Sequence, residues 1–435
     1  MAVQMTACQP DLAGEREHLT ALLPAGGQTA WRTTGHAADP PATAAGCAVL
    51  DWADSGLMAL TGPPGGVPLA PAAPVLPRMA VVASLISELA GQRGAAVRLD
   101  LARLLASRAA ENGWQRHGTS SANGTCRLMR GADGWLAISL SRPDDLASVP
   151  ALLGRELGGC PWAELTSAAA RIPAADLADQ AQLLGIPAAV LGTVTAAGGP
   201  APVGFSRLGA EGRGSDLVLD VSALWAGPLC ASILRQAGWR TLKVEHAGRP
   251  DGARAGAPYF YASLHAGGAA IQLDFASSAG RAELARLAGL AGVIVESSRP
   301  RALRRLGLVA EDWLAAAPGR TWISITGYGR ADAQQRVAFG DDAAVAGGLV
   351  ATRPDDTPVF CGDAIADPLT GLFAALAGLA SAAAGGGLLA DVAMAAVCAD
   401  LARPGGGPVR PHEITKSQDS WRVSHGDQWQ QVAPP

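Results

Sequence analysis

Short apolar runs alternate with amphipathic segments over the second half of the chain. The runs that have the length and composition of buried strands are 217–221, 241–245, 269–275, 292–296 and 321–327. Between them, 226–238 and 280–292 place apolar residues at helical spacing. Strands that alternate with helices predict a parallel sheet covered on both faces. We therefore predict an α/β fold over 215–402, with a Rossmann-like, doubly wound parallel sheet and a helical pattern from about 343 to 402.

The first half of the chain has a weaker pattern. Residues 127–140 alternate like a hairpin, with an Asp-Gly pair at the turn. Helical periods cover about 79–112 and 145–188, and 186–194 is typical of a short strand. A smaller α+β domain is therefore expected over 113–209.

Two polar stretches divide the chain. The segment AEGRGSD at 210–216 is charged and contains glycine, so we place a boundary there, between a 1–210 half and a 215–402 half. Residues 403–435 have no apolar period, which predicts an irregular tail.

The two halves contain similar segments. Residues 56–109 and 347–402 both run from Gly-Leu through a turn, a Pro-anchored apolar stretch, a long Ala-rich helix and a Gly break to a second helix. Alignment of the two copies sets Pro77 against Asp367, so the acid occurs in one copy only. A catalytic residue beside a degenerate repeat would produce this asymmetry, and a chance similarity of two Ala-rich helices is the alternative.

Composition narrows the functional classes. Only 17% of the residues are charged and the formal net charge is −4, which gives no support for a nucleic-acid or anionic-membrane surface. The seven cysteines are scattered, with no paired spacing that suggests zinc. We expect reduced thiols, a cytoplasmic protein and no metal. The N-terminal stretch lacks a basic segment followed by an apolar one, so no secretory signal is expected.

One uncharged run, 368–390, is long enough to span a bilayer. It is mostly Ala and Gly, contains Gly385-Gly386-Gly387, and lacks a flanking cluster of basic or aromatic residues. A buried core helix, and no membrane association, is the expected structure.

Motifs in the second half resemble, in order, the class III coenzyme A transferases of the CaiB–BaiF family. The segments that carry the resemblance are VLDVSALWAGPLCASILRQAGWRTLKVE (218–245), AIQLDFASSAGRAELARL (270–287), GVIVESSRPRALRRLGL (292–308), WISITGYG (322–329) and GDAIADPLTGLFAALAGLA (362–380). Segments of the first half resemble the later part of the same family, namely 54–62, 132–139, 185–194 and 201–209. The chain therefore resembles a circularly permuted member or a truncated two-copy fusion. The resemblance implies a homodimer, which is interlocked in this family.

The resemblance assigns the reaction to Asp367. It implies that this carboxylate attacks an acyl-CoA thioester, so that CoA moves to a carboxylic acid through an aspartyl anhydride and an aspartyl-CoA thioester. A helix N-cap is the structural alternative for Asp367, because Pro368 suits the first helical position. The neighbouring Asp363 matches no family acid and is expected to be a solvated turn residue.

The resemblance also implies a coenzyme A site. The residues that match cofactor-binding positions are Trp225, Ala226, Arg254, Ser297, Ser298 and Arg305, with the Arg305 guanidinium suited to a phosphate. Three neighbouring arginines, Arg299, Arg301 and Arg304, suit either a phosphate site or a solvated helix face. Departures from the family occur at His265-Ala-Gly-Gly-Ala-Ala, where basic residues are missing, and at Ser297-Ser298, which replace Asn-Phe.

Other functions remain open at this point. A racemase or lyase acting on CoA thioesters is one, but the Gly-His-Asp segment of the racemases reads Gly340-Asp341-Asp342 here. A catalytically inactive CoA-binding partner subunit is another, favoured by the missing basic residues. A general nucleotide-binding domain is less well supported, since no G-x-G-x-x-G follows the first strand.

Overall fold

A computed structural model of the chain describes residues 2–7, 11–25, 46–405, 409–417 and 420–435. The strands are β1 Ala2–Ala7, β2 Cys126–Arg130, β3 Trp135–Ser139, β4 Ala188–Val190, β5 Val203–Arg207, β6 Leu217–Asp220, β7 Arg240–His246, β8 Ala269–Leu273, β9 Val293–Glu296, β10 Thr321–Thr326, β11 Val350–Thr352, β12 Pro358–Phe360, β13 Leu388–Ala393, β14 Val409–Ser417, β15 Ser420–His425 and β16 Gln428–Gln431. The helices are α1 Leu12–Ala21, α2 Ala48–Asp54, α3 Val75–Gln92, α4 Leu101–Asn112, α5 Pro143–Ala147, α6 Val149–Leu153, α7 Pro161–Ala169, α8 Ala174–Leu183, α9 Ala226–Gln236, α10 Pro258–His265, α11 Ser278–Leu290, α12 Pro300–Arg305, α13 Ala310–Ala315, α14 Gly340–Ala346, α15 Ala366–Ala383 and α16 Met394–Leu401.

A seven-stranded sheet forms the centre of the fold, in the order β5-β13-β10-β9-β6-β7-β8. Strands β6 to β10 and β13 are parallel to their neighbours, and β5 is antiparallel at one edge. The strands predicted from the apolar runs after residue 216 all lie in this sheet. The predicted α/β fold with a doubly wound parallel sheet is confirmed.

The two faces of the sheet are covered by different helices. Alternate residues of one strand point to opposite faces. Thus Val218 packs in a cluster with α3, α9 and α15, whereas Leu219 packs with α11 and α13 on the other face. This alternation, repeated in β9 and β10, explains why the central strands read as continuous apolar runs.

The uncharged run forms α15, a core helix. It is long and apolar enough to cross a membrane by length and composition, but 83% of its residues are buried inside the protein. It packs against α9 and α3 and against the sheet. Small residues permit this close packing, since a side chain at Gly371 would press against the Ala226 carbonyl and Leu229.

A three-stranded antiparallel sheet, β2-β3-β4, forms the smaller α+β unit. The hairpin turns at 131–134, between β2 and β3. Helices α5 to α8 cover it and enclose a separate apolar cluster around Leu136, Ile138 and Leu177. This unit carries residues that border the large sheet, as described below.

The expectation of a helical pattern from about 343 to 402 is wrong in part. Strands β11 and β12 pair as a hairpin, and β13 lies inside the large sheet between β10 and β5. The β13 sequence, LLADVA, is buried at most positions. A short apolar run of this kind has no period that separates a buried strand from a buried helix.

The irregular tail expected over 403–435 is also wrong for the residues that the structure describes there. Strands β14, β15 and β16 form a four-stranded antiparallel sheet with β1, in which Ala2 pairs with Ile414 and Ala7 with Val409. The sequence pattern missed this sheet because its partner strand lies some four hundred residues away in the chain. The tail is polar because the sheet has exposed positions, not because it lacks structure.

The boundary placed at 210–216 does not separate two packed halves. Strand β5 of the first half hydrogen-bonds to β13, and α3 packs against α15 in one shared core. The suggested repeat is matched in part: α3 and α15 are both 18 residues long and each precedes another helix. Residues 67–74 and 95–100, however, contain no counterpart of β12 or β13.

Candidate active site

A cavity of about 520 Å³ opens at the carboxyl ends of β6, β9 and β10. This is the edge at which parallel α/β sheets bind ligands. Loops after these strands form one wall, and the smaller unit contributes Arg142 and Pro187 to the other. Asp367 reaches the cavity from the first turn of α15.

The position of Asp367 in α15 tests the N-cap interpretation. The N-cap residue is Ile365, so Asp367 is the second residue of the helix and the N-cap interpretation is wrong. A carboxylate in the first turn is favoured by the positive end of the helix dipole. Its side chain is only partly exposed, and the exposed part faces the cavity.

The environment of Asp367 raises its pKa to about 6, chiefly because the carboxyl is desolvated. The nearby Arg108 guanidinium opposes this rise in pKa, and the negative charge of Asp363 adds to it. Backbone amides of Gly340 and Ala226 also favour the charged form. The carboxylate is therefore mostly ionised at neutral pH, while it remains poorly solvated.

Gly340 permits the close approach of Asp367. A Cβ on Gly340 would fall well inside van der Waals contact with both the Ala364 carbonyl oxygen and the Asp367 carboxylate. The glycine is required here by space and not by backbone conformation. The first residue of α14 is thereby packed directly against the candidate nucleophile.

The expectation that Asp363 is a solvated turn residue is wrong. Its side chain is fully buried, and both carboxylate oxygens accept hydrogen bonds of 2.7 Å from the Arg108 guanidinium. Arg108 lies on α4, 255 positions earlier in the chain. No local sequence signal marks this pair, because it arises from the packing of α4 beside the turn before α15.

Two further buried acids lie on α14. Asp341 accepts a hydrogen bond of 2.9 Å from the Ala364 amide, and burial raises its pKa to about 8. Asp342 accepts a hydrogen bond of 2.8 Å from the Ser139 hydroxyl, and burial raises its pKa to about 7. With Asp363 and Asp367 they form a cluster of four carboxyl groups, which we call the acid cluster.

The acid cluster predicts a pH-dependent stability. The pKa of Asp341 is higher in the folded chain than its unfolded value, so the folded state holds the proton longer and stability falls as pH rises from about 4 to 8. Asp341→Asn retains an oxygen for the Ala364 amide and removes the charge. We expect its free energy of unfolding at pH 8 to exceed that of the wild type by at least about 1 kcal/mol. Denaturant unfolding at pH 5 and pH 8 measures this, and an equal change at both pH values would contradict the explanation.

The predicted coenzyme A residues fall into two groups. Ala226, Ser297 and Ser298 line the cavity, and the Ser297 hydroxyl accepts a hydrogen bond of 3.0 Å from the Ala223 amide. Trp225 lies behind this wall, where its buried ring meets Phe260 edge to face at 5.0 Å. Their roles toward coenzyme A remain predictions.

The other two predicted residues lie away from the cavity. Arg254 forms a bidentate ion pair with Glu245, which in turn accepts a hydrogen bond from Tyr261. The Arg254 guanidinium is thus already bound to a carboxylate of strand β7. Arg305 is exposed on α12 and does not border the cavity.

Sequence reasoning missed most of the cavity's positive charge. The arginines that line it are Arg142, Arg249, Arg299, Arg330 and Arg336, against the two acids Asp332 and Asp367. Only Arg299 was considered from the sequence. Arg330 is held by Glu296 at 2.9 Å, and Arg336 by Asp332 at 3.1 Å. Arg142 is likewise ion-paired with Asp145. Among the described residues, Arg249 and Arg299 are therefore the cavity arginines without a carboxylate partner, and they suit an anionic ligand that carries phosphate or carboxylate groups.

In the part of the chain that the structure describes, the group of acids and histidine that could hold a metal ion is Glu15, His18 and Asp400. It lies outside the cavity. Glu15 is ion-paired with Arg78 and Arg403, and His18 with Asp400. These contacts join α1 to α3 and α16.

The fold and the site together define an α/β domain with a helix-borne carboxylate beside a cation-lined cavity at the carboxyl edge of its sheet. Residues 216–406 match the sequence model of CoA-transferase family III. This segment is therefore similar to CoA-transferase family III, and the resemblance to that family is confirmed.

Curated proteins match part of the chain. The chain is 31% identical over 172 residues to a succinyl-CoA–D-citramalate CoA-transferase of Chloroflexus aurantiacus. This alignment covers 37% of this chain and 43% of that protein. It is 33% identical over 168 residues to a mouse succinyl-CoA:glutarate CoA-transferase, covering 36% of this chain and 38% of that protein. The chain thus spans less than half the length of these relatives.

A crystal structure of a CaiB/BaiF family protein from Brucella suis is 22% identical, with a TM-score of 0.43. The alignment covers 51% of this chain and 66% of that one.

Proposed function

We propose that the chain is a CoA-transferase that moves coenzyme A from an acyl-CoA to a free carboxylic acid, with Asp367 as the nucleophile. The observation that carries the proposal is the placement of Asp367. It is the acid of the segment 216–406 that combines a cavity-facing carboxyl, a raised pKa and a position at the start of a buried helix.

The proposed reaction has four covalent steps. An Asp367 Oδ attacks the thioester carbonyl carbon, the C–S bond breaks, and CoA departs as a thiolate, which leaves a mixed anhydride between the acyl group and Asp367. The thiolate then attacks the Asp367 carboxyl carbon and releases the donor acid, which leaves an aspartyl-CoA thioester. The acceptor carboxylate attacks this thioester and frees the thiolate again. Attack of the thiolate on the acyl carbon of this second anhydride gives the new acyl-CoA and restores Asp367.

The residues of this chain support those steps in three ways. Partial desolvation of Asp367 makes its carboxylate a better nucleophile than one in water. The amides of Gly340 and Ala226 stabilise negative charge that develops at its carboxyl group. The arginines of the cavity wall provide positive charge for the phosphates of coenzyme A or for the free acid.

The geometry supports the predicted cofactor-binding roles in part. We infer that Ala226, Ser297 and Ser298 contact the thioester end of acyl-CoA, with Trp225 supporting that wall. A role for Arg305 requires a part of coenzyme A that extends beyond the cavity. Arg254 has least support, because Glu245 already occupies its guanidinium.

Assay of CoA exchange tests the proposed function. The matched relatives are named for succinyl-CoA, so we infer this compound as the first donor to examine. The protein is incubated with succinyl-CoA and free acids such as glutarate, malate, citramalate and oxalate, and new CoA esters are measured by chromatography and mass spectrometry. Formation of a new ester is expected. Solvent deuterium at the α-carbon without exchange would favour a racemase, and CoA binding without any turnover would favour an inactive partner subunit.

The pKa of Asp367 predicts the acid limb of the rate profile. The nucleophile must be ionised, so kcat/KM should rise with pH, reach half of its limit near pH 6, and level off above pH 7. Initial rates between pH 4.5 and 8.5 measure this limb. A profile that is flat across pH 6 would contradict ionisation of Asp367 as the controlling event.

We also infer a homodimer in a reducing cytoplasm. All six cysteines in the described ranges are unpaired, and Cys47, Cys126, Cys230, Cys361 and Cys398 are buried. Light scattering after size-exclusion chromatography measures the assembly, and a monomer at micromolar concentration would contradict the dimer.

A further inference from the structure

A buried arginine from the first half of the chain lies behind the candidate nucleophile. Arg108, on α4, is outside the segment 216–406 that matches the family, and its guanidinium grips Asp363 through two hydrogen bonds of 2.7 Å. The ion pair is well shielded, since Asp363 is fully buried and the Arg108 side chain is 20% exposed. Arg108 does not line the cavity.

Aromatic rings enclose the same guanidinium. It lies 4.9 Å from the ring centre of Trp225, 5.4 Å from that of Trp114 and 5.8 Å from that of Phe260. Such contacts attract a planar cation and restrict its movement. The guanidinium therefore has one position, fixed by Asp363 on one side and by rings on the others.

Several charged or titratable groups surround the Asp367 carboxyl. Arg108 on α4 is the positive charge that influences the Asp367 carboxyl, and Asp363 in the preceding turn is the negative charge that influences it. Asp342 on α14 interacts with Asp367, Asp341 interacts with both Arg108 and Asp363, and the Cys398 thiol on α16 responds to the Asp367 charge. The cavity-side cations are the five arginines named above. Four carboxyl groups and one guanidinium thus share this interior.

We propose that Arg108 is a positioning residue for Asp367: its two hydrogen bonds to Asp363 and its contact with the Trp225 ring hold the guanidinium between the turn before α15 and the Trp225–Ala226 wall, the two segments next to the nucleophile, where it favours the Asp367 carboxylate. Asp363 moderates the same effect, because its negative charge opposes ionisation of Asp367. The first half of the chain thereby completes the site of the segment 216–406. This inference rests on the proposed function only for its kinetic test.

The two members of the ion pair should have opposite effects on Asp367. Removing the cation raises the pKa of Asp367, because Arg108 favours the charged form. Removing the charge of Asp363 lowers that pKa, because a neighbouring carboxylate disfavours a second one.

The pH–rate profiles of R108Q, R108K and D363N test this. R108Q should move the acid midpoint of kcat/KM upward by about one pH unit, which lowers the rate about tenfold below pH 5 and leaves it near the wild-type value at pH 8. D363N should move the midpoint downward. R108K should fall between R108Q and the wild type, because an ammonium keeps the charge but loses the bidentate geometry.

A second readout does not require turnover. Difference infrared spectra of protein labelled with ¹³C-carboxyl aspartate, referenced to D367N, report the protonation of Asp367 directly. If no CoA exchange occurs but these spectra show the opposite shifts, the proposed function fails and this inference stands. If R108Q and D363N leave the midpoint unchanged, or shift it in the same direction, the inference is overturned. A loss of rate equal at every pH would likewise overturn it, because a purely structural role gives that result.

Discussion

Asp367→Ala is expected to lower kcat for CoA exchange by about 10⁴-fold or more, because the proposed reaction forms both covalent intermediates on this carboxyl group. Asp367→Asn should lower it similarly, since an amide is not nucleophilic at the required step. Binding of acyl-CoA should persist, because the arginines that line the cavity are unchanged. Steady-state exchange rates and a CoA binding isotherm measure the two properties separately.

Asp355→Asn supplies the matched control. Asp355 is an exposed turn acid between β11 and β12, and its side chain is 55% exposed. This variant should retain the wild-type rate. Retention of more than a tenth of the activity by Asp367→Ala would contradict the role given to this carboxylate.

Gly340→Ala is expected to lower kcat by about 100-fold, because its methyl group would displace the Asp367 carboxylate or the Ala364 carbonyl by a fraction of an ångström or more. Alanine has the better helix propensity, so propensity alone would stabilise α14. A loss of rate in a folded variant therefore reports displacement of the nucleophile. Exchange kinetics, with circular dichroism to verify folding, measure the result.

Gly289→Ala is the control for this substitution. Gly289 lies in α11, and a Cβ there meets no atom within 4 Å. Its exchange rate should equal that of the wild type, and its stability should equal or exceed it. A similar loss of rate in both variants, or an unchanged rate in Gly340→Ala, would contradict the steric explanation.

The large sheet was predictable because its strands are short apolar runs that alternate with helices. Runs such as LVLD and VIVE are mostly buried, and a helix of clear period follows the first and precedes the second. Strand β13 was missed because LLADVA follows a long Ala-rich helix and has no distinguishing period. The tail sheet was missed because β1 and β14 pair across nearly the whole chain.

The site likewise contains residues that the sequence could predict and residues that it could not. Asp367, Ala226, Ser297 and Ser298 lie in local motifs, and all of them border the cavity. The Arg108–Asp363 pair joins positions 255 residues apart, so no local pattern reveals it. The ion pair of Arg254 was not predictable for a related reason: its partner Glu245 is close in the chain, but a sequence does not show which acid an arginine contacts.

The central claim is that Asp367 becomes covalently acylated, and peptide mass spectrometry after trapping tests it most directly. The protein is mixed with succinyl-CoA, quenched with hydroxylamine, digested and mapped, with Asp367→Asn treated in parallel. A hydroxamate on Asp367 that depends on acyl-CoA and is missing from the variant is expected. Transfer of CoA with Asp367 unmodified, or a hydroxamate confined to another acid, would contradict it.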